Sequence, residues 1–177
     1  MIEVLQLGYV WLVQLVWRAL PLVLTILLML AANIPLHLLQ GEVPAPDIAL
    51  TSIFFWAMHG SAFMPPWAVF IVGAAQDLTA GTPLGFSIII YLLAYGFTLT
   101  QRIFFKGRTG IGAWLGFALV VAISALLSWS LGMIVFERWL DPLVVVLQAG
   151  MTILFYPLFS RLFMLVRRVL TTAPETL

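Results

Sequence analysis

The sequence predicts an all-α polytopic membrane protein with six transmembrane helices, the second and third short, preceded by an N-terminal amphipathic helix lying in the interface. Three observations carry that reading. Of 177 residues, 63% are hydrophobic and only 8% charged, against roughly 25% charged in ordinary soluble domains. Several apolar stretches approach or exceed the roughly 20 residues that cross a hydrocarbon core of about 30 Å, which leaves almost no chain for a soluble domain. Basic residues gather at alternate ends of these stretches, the pattern that sets orientation. One transmembrane domain over residues 1–177 is the expectation.

Residues 1–18 are read as an interfacial helix, with Glu3, Gln6, Gln14 and Arg18 on one side and Val4, Leu5, Val10, Trp11 and Leu12 elsewhere. The competing reading makes them an extension of the first span. The N-terminus lacks a basic region and small-residue cleavage pattern and is taken as part of the mature protein. The first span is placed at about 20–39, ended by the two-proline loop Gln40 to Asp47. Spans at 48–62 and 66–80 are each short, separated by Phe63-Met64-Pro65-Pro66, and form two short crossings or one re-entrant hairpin. The fourth, 83–105, is expected to open with Thr82 as N-cap and Pro83 at the first helical position. The fifth covers 111–136, and the sixth, 142–166, opens with Asp141 as cap and Pro142. With both termini in the cytoplasm, Arg18, Arg102, Lys106, Arg108, Arg161, Arg167 and Arg168 all fall inside, while Glu42, Asp47, Glu137, Arg138 and Asp141 fall outside.

Charge and composition also exclude functions. A net charge of +1 with scattered basic residues offers no phosphate-binding surface, so no nucleic acid is expected. The absence of cysteine removes disulfides, thiolate metal sites and a cysteine nucleophile. His37 and His59 fall near opposite ends of the membrane and read as interface histidines, so no metal and no cofactor are expected. No serine has a base at a useful spacing and no phosphate-binding loop appears, which points away from an enzyme. The tryptophans, among them Trp17, Trp67, Trp114, Trp129 and Trp139, fall mostly at span ends as an interfacial belt.

Small residues mark the helix contacts. Gly112, Gly116, Val120, Ser124, Ser128 and Gly132 recur every four residues along the fifth span, a packing seam of the kind that lets backbones approach in lipid. Asn33 and Pro35 in the first span and Gln148 and Pro157 in the sixth interrupt apolar helices; they line a cavity or shape kinks. The one acid inside a span is Asp77, in the segment Gly73 to Gly85. Gly73, Asp77 and Gly81 are four apart and share a helical face. Asp77 also lies in a last turn, where the helix dipole disfavours an anion. Compensation is expected from the free amides of Thr82 to Gly85, from Arg138 or from a partner; the alternative is a water-reached loop cap.

The motif Gly73-x-x-x-Asp77, followed by Gly81-x-Pro83-Leu84-Gly85 opening a helix with Tyr91 and Tyr95, resembles the rod shape-determining protein MreD family. The resemblance extends to length, span count, the proline-containing short loop before the third span and the basic loop after the fourth. It implies a non-enzymatic scaffold of the bacterial cell-elongation complex, multi-pass in the inner membrane, regulating cell shape and lateral peptidoglycan synthesis. It also implies direct binding of MreC and membership of a larger complex with MreB, RodA and its partner transpeptidase, among membrane lipids. Gly73, Asp77, Gly81, Pro83, Leu84 and Gly85 would form the partner-binding or structural motif. The family is similar in architecture to the S components of vitamin transporters, so the alternative is an S-component-like small-molecule or vitamin-binding protein, with Asn33, Gln148 and Asp77 converging on a cavity.

Overall fold

The computed structural model describes residues 19–32, 44–105, 110–137 and 141–172. Among the described residues the protein is entirely helical, with α1 (Ala19–Ala32), α2 (Ile48–His59), α3 (Pro66–Ala80), α4 (Phe86–Phe105), α5 (Gly110–Phe136) and α6 (Pro142–Thr172). Two of these are long and apolar enough to cross a membrane. They are α5, with 27 residues at mean hydropathy 2.3, and α6 over Pro142–Leu170, with 29 residues at 1.8. The interfacial helix expected over 1–18 lies outside the described residues, as do Asn33, Pro35, His37, Arg138 and Trp139.

The shortest helix is the centre of the molecule. Eleven of the twelve residues of α2 are buried, and it packs chiefly against α4 and α6. At about 1.5 Å per residue it is roughly 18 Å long, well short of a hydrocarbon core. Its sequence is apolar on every side, as a helix surrounded by others requires. Asp47 starts it by accepting the Leu50 amide at 2.9 Å, and the Gly60 amide closes it on Trp56 O at 2.8 Å. It therefore ends at His59, three residues before the expected boundary, because Gly60 leaves helical geometry. On one side, the Thr25 hydroxyl of α1 pairs with Ser52 at 2.5 Å and donates to Pro21 O at 2.7 Å. On the other, aromatic rings fill the space: Phe54 meets Phe117 and Tyr156, and Phe55 and Trp56 meet Phe163. The Trp56 indole N–H is buried among them, with no hydrogen-bond partner among the described residues.

Two helix boundaries differ from expectation for identifiable reasons. The fourth helix starts at Phe86, so Pro83 is not its first residue and Thr82 is not its N-cap. Gly81 at φ +68° and Gly85 at φ +108° turn the chain sharply between α3 and α4, conformations that only glycine adopts without strain. Residues 82–85 are spent on that turn. The sixth helix runs through Pro157 to Thr172, past the expected end at 166. At its start, Asp141 accepts the Leu143 amide at 2.9 Å with Pro142 at the first helical position.

The charged groups sort to the two ends of the bundle. Asp47 and Asp77 lie at the end formed by the N-termini of α2 and α4. At the other end Arg102 of α4 donates to Ser61 Oγ at 3.0 Å, and His59 stacks on Phe55 with its Nδ1 3.1 Å from Phe55 O. Along α5, Gly116, Val120, Ser124 and Gly132 are buried, while Gly112 and Ser128 are half-buried. The outward faces of α5 and α6 carry exposed Leu115, Leu126, Ile134, Val146, Leu154 and Leu158.

Candidate functional site

Asp77 is buried, with 1% of its surface exposed, and the way it is satisfied defines the α3–α4 corner. Its Oδ1 accepts the Ser87 amide at 2.8 Å and the Thr82 hydroxyl at 2.9 Å, and its Oδ2 accepts the Gly85 amide at 2.8 Å. Asp77 is thus a capping residue supplied from the preceding helix, placed on the open amides where the α4 dipole is positive. Of the three compensations expected from the sequence, the amides after Gly81 are the one present; Arg138 is outside the described residues. The burial of the carboxylate also corrects the reading of it as a water-reached cap.

The glycines make that approach possible. A Cβ on Gly73 would lie 2.7 Å from Ile88 Cα and 3.0 Å from Ile88 N, so the α3 backbone rests directly on α4. Gly81, whose amide bonds back to Asp77 O, and Gly85 supply the positive φ angles. Pro83 and Leu84 lie between them at the surface, Leu84 being 71% exposed; Leu78, in the last turn of α3, is 72% exposed. The six motif residues therefore divide into an inner lock of Gly73 and Asp77 and an outer turn of Gly81, Pro83, Leu84 and Gly85.

A second carboxylate, which the sequence marks only as a loop acid, stands at the same end. Asp47 Oδ1 accepts the Leu50 amide at 2.9 Å and the Tyr91 hydroxyl at 3.0 Å, and Oδ2 lies 3.1 Å from the same hydroxyl. The Asp47 amide donates to Thr152 Oγ1 at 2.9 Å, the Thr152 hydroxyl donates to Gln148 O at 2.7 Å, and Gln148 Nε2 donates to Ala45 O at 3.3 Å. These bonds tie α2, α4 and α6 together. Burial raises the Asp47 carboxyl above its ordinary value, and the Leu50 amide and Tyr91 hydroxyl oppose that rise.

The same residues border a cavity of about 220 Å³. Asp47, Gln76 and Thr82 form one wall, Ser87 and Tyr91 of α4 a second, Ser124 and Ser128 of α5 a third, and Gln148 and Thr152 of α6 a fourth. A smaller cavity of about 150 Å³ shares Asp47, Gln76 and Gln148. Of the expected cavity residues Gln148 is on the wall, Asn33 is outside the described residues, and Asp77 reaches the cavity only through its partners Thr82 and Ser87. Asp47, Tyr91 and Thr152 were not anticipated as neighbours. The readable signal for Asp47 was an acid directly before an apolar run, an N-cap signature.

Compared with known proteins, the chain matches no family model, and neither a curated protein nor a solved structure is similar to it.

Proposed function

We propose that this chain is a scaffold of the bacterial cell-elongation complex, without catalytic activity of its own. It would cross the inner membrane six times with both termini in the cytoplasm, bind MreC directly, and join MreB, RodA and its partner transpeptidase through the larger complex. The observation that carries the reading is the division of the Gly73–Gly85 motif. Its buried members fix a rigid corner, its exposed members Gly81, Pro83 and Leu84 stand on that corner, and Leu78 in the last turn of α3 is exposed as well. A shape held by three hydrogen bonds to one carboxylate and presenting apolar side chains suits contact with another protein. The sorting of Asp47 and Asp77 to one end and Arg102 to the other supports the proposed orientation. The apolar outer faces of α5 and α6 suit lipid, the solvent in which MreC's transmembrane helix is met.

The alternative, a vitamin receptor resembling transporter S components, is favoured by the polar cavity but not by its size. At about 220 Å³ it is smaller than the roughly 300–1,000 Å³ typical of pockets for drug-sized ligands.

Co-purification of MreC separates contact from support. Leu84→Ser is expected to lower MreC recovery while leaving the melting temperature of the purified protein unchanged. Asp77→Ala is expected to lower both. Full MreC recovery and normal rod-shaped cells with both variants would overturn the role of this corner.

A further inference from the structure

We propose that the cavity beside Asp47 binds a small hydroxylated organic cation, a primary ammonium carrying a hydroxyl group. The inference goes beyond the scaffold role and does not depend on it.

Among the described residues the cavity wall contains one carboxylate and no lysine, arginine or histidine. An anion would meet Asp47 uncompensated, so a ligand here is neutral or positive. The rings of Tyr91 and Phe86 also border the space, and aromatic surface favours a cation over a neutral group. Size restricts the choice further: about 220 Å³ is many times the roughly 30 Å³ share of one water molecule and too small for a drug-sized ligand.

Unspent hydrogen-bonding capacity points the same way. Elsewhere in these helices hydroxyls bond back to their own backbone: Ser130 to Leu126 O at 2.8 Å, Thr98 to Ala94 O at 2.7 Å, and Ser160 to Pro157 O at 3.0 Å. Ser124 and Ser128 line the cavity and, among the described residues, neither hydroxyl has such a partner. Both belong to the seam on α5, so the seam places two serines at the edge of the void where alanine would pack as closely. Asp47 also retains room, since a carboxylate offers about four lone-pair sites and its partners are three, the Leu50 and Ala49 amides and the Tyr91 hydroxyl. An ammonium on Asp47 Oδ2 and a ligand hydroxyl against Ser124 and Ser128 would use each of these groups.

The same chemistry has two sources, a free amino alcohol or the headgroup of phosphatidylethanolamine, and the test distinguishes them. The full chain is purified in detergent, stripped of lipid, and titrated with ethanolamine, with ethylene glycol and inorganic phosphate as controls. A saturable rise in melting temperature with ethanolamine alone is expected. Asp47→Asn keeps an oxygen to cap α2 and removes the charge, and it should weaken binding at least tenfold. Ser124→Ala with Ser128→Ala should weaken it about tenfold, the effect of two neutral hydrogen bonds, while Ser130→Ala on the same helix, outside the cavity, should not. Repeating the titration in nanodiscs of phosphatidylethanolamine and of phosphatidylglycerol identifies the source. Competition only in the former assigns the site to the headgroup, and equal binding in both assigns it to a free amine. No saturable shift with ethanolamine, an equal shift with ethylene glycol, or unchanged binding by Asp47→Asn would overturn the proposal. None of these outcomes bears on MreC recovery.

Discussion

Two aspartates at one end of the bundle do the same local job and leave different remainders. Asp77 caps α4 and Asp47 caps α2. Asp77 reaches forward five to ten residues, accepts two amides and a hydroxyl, and is sealed from its surroundings. Asp47 accepts the amides at the start of α2, shares a hydroxyl that lies 44 positions away in the chain, and borders an open volume. A cap closed in by its partners is structure; one that borders a void is structure that is also available for recognition.

Substitutions can break or sharpen this contrast. The largest effect is expected from Asp77→Ala, which strands the Gly85 and Ser87 amides in a buried corner. A loss of about 3 kcal/mol follows from removing a charged acceptor from several buried donors, measurable as a lowered unfolding midpoint in detergent. Gly73→Ala comes next, at about 2 kcal/mol, because the added methyl meets the Ile88 backbone rather than a side chain that could move. Gly81→Ala should cost about 1 kcal/mol: nothing lies within 4 Å of its Cβ position, so only the left-handed conformation opposes it. Tyr91→Phe should have the smallest effect, about 0.5–1 kcal/mol by the same unfolding measurement, because the Leu50 amide still holds Asp47. If Tyr91→Phe proved as damaging as Asp77→Ala, Asp47 would be a sealed structural cap like its counterpart.

The two sites also differ in how readily the sequence discloses them. The α3–α4 corner is local, spanning Gly73 to Ser87, and glycines and one acid in an apolar run mark it directly. Even there, Thr82-Pro83 reads as a helix start because both residues fit the local pattern. The actual start at Phe86 depends on Asp77 drawing the Gly85 and Ser87 amides to itself, which no local propensity reveals. The cavity beside Asp47 joins residues from five helices and two connecting segments, and no spacing rule links Asp47 to Tyr91 or Thr152. The position of α2 was hidden for another reason. Lipid tails and a protein core are equally apolar, so a helix hydrophobic on every face reads the same whether it meets lipid or, as here, other helices. The helix lengths were more legible: α3 and the bounds of α5 follow their prolines, glycines and apolar runs closely.

The enclosure of α2 also has a temporal side. It is made early, before α4 and α6 that cover it, and its packing against α6 joins segments about a hundred positions apart, as between Asp47 and Thr152. During synthesis the future centre of the molecule must therefore wait, uncovered, for more than half the chain to follow. Its all-round apolarity makes that wait tolerable in a bilayer and hazardous in water. A chain released before α6 is complete would leave α2 open along one side, a natural mark by which quality control could recognise an unfinished molecule.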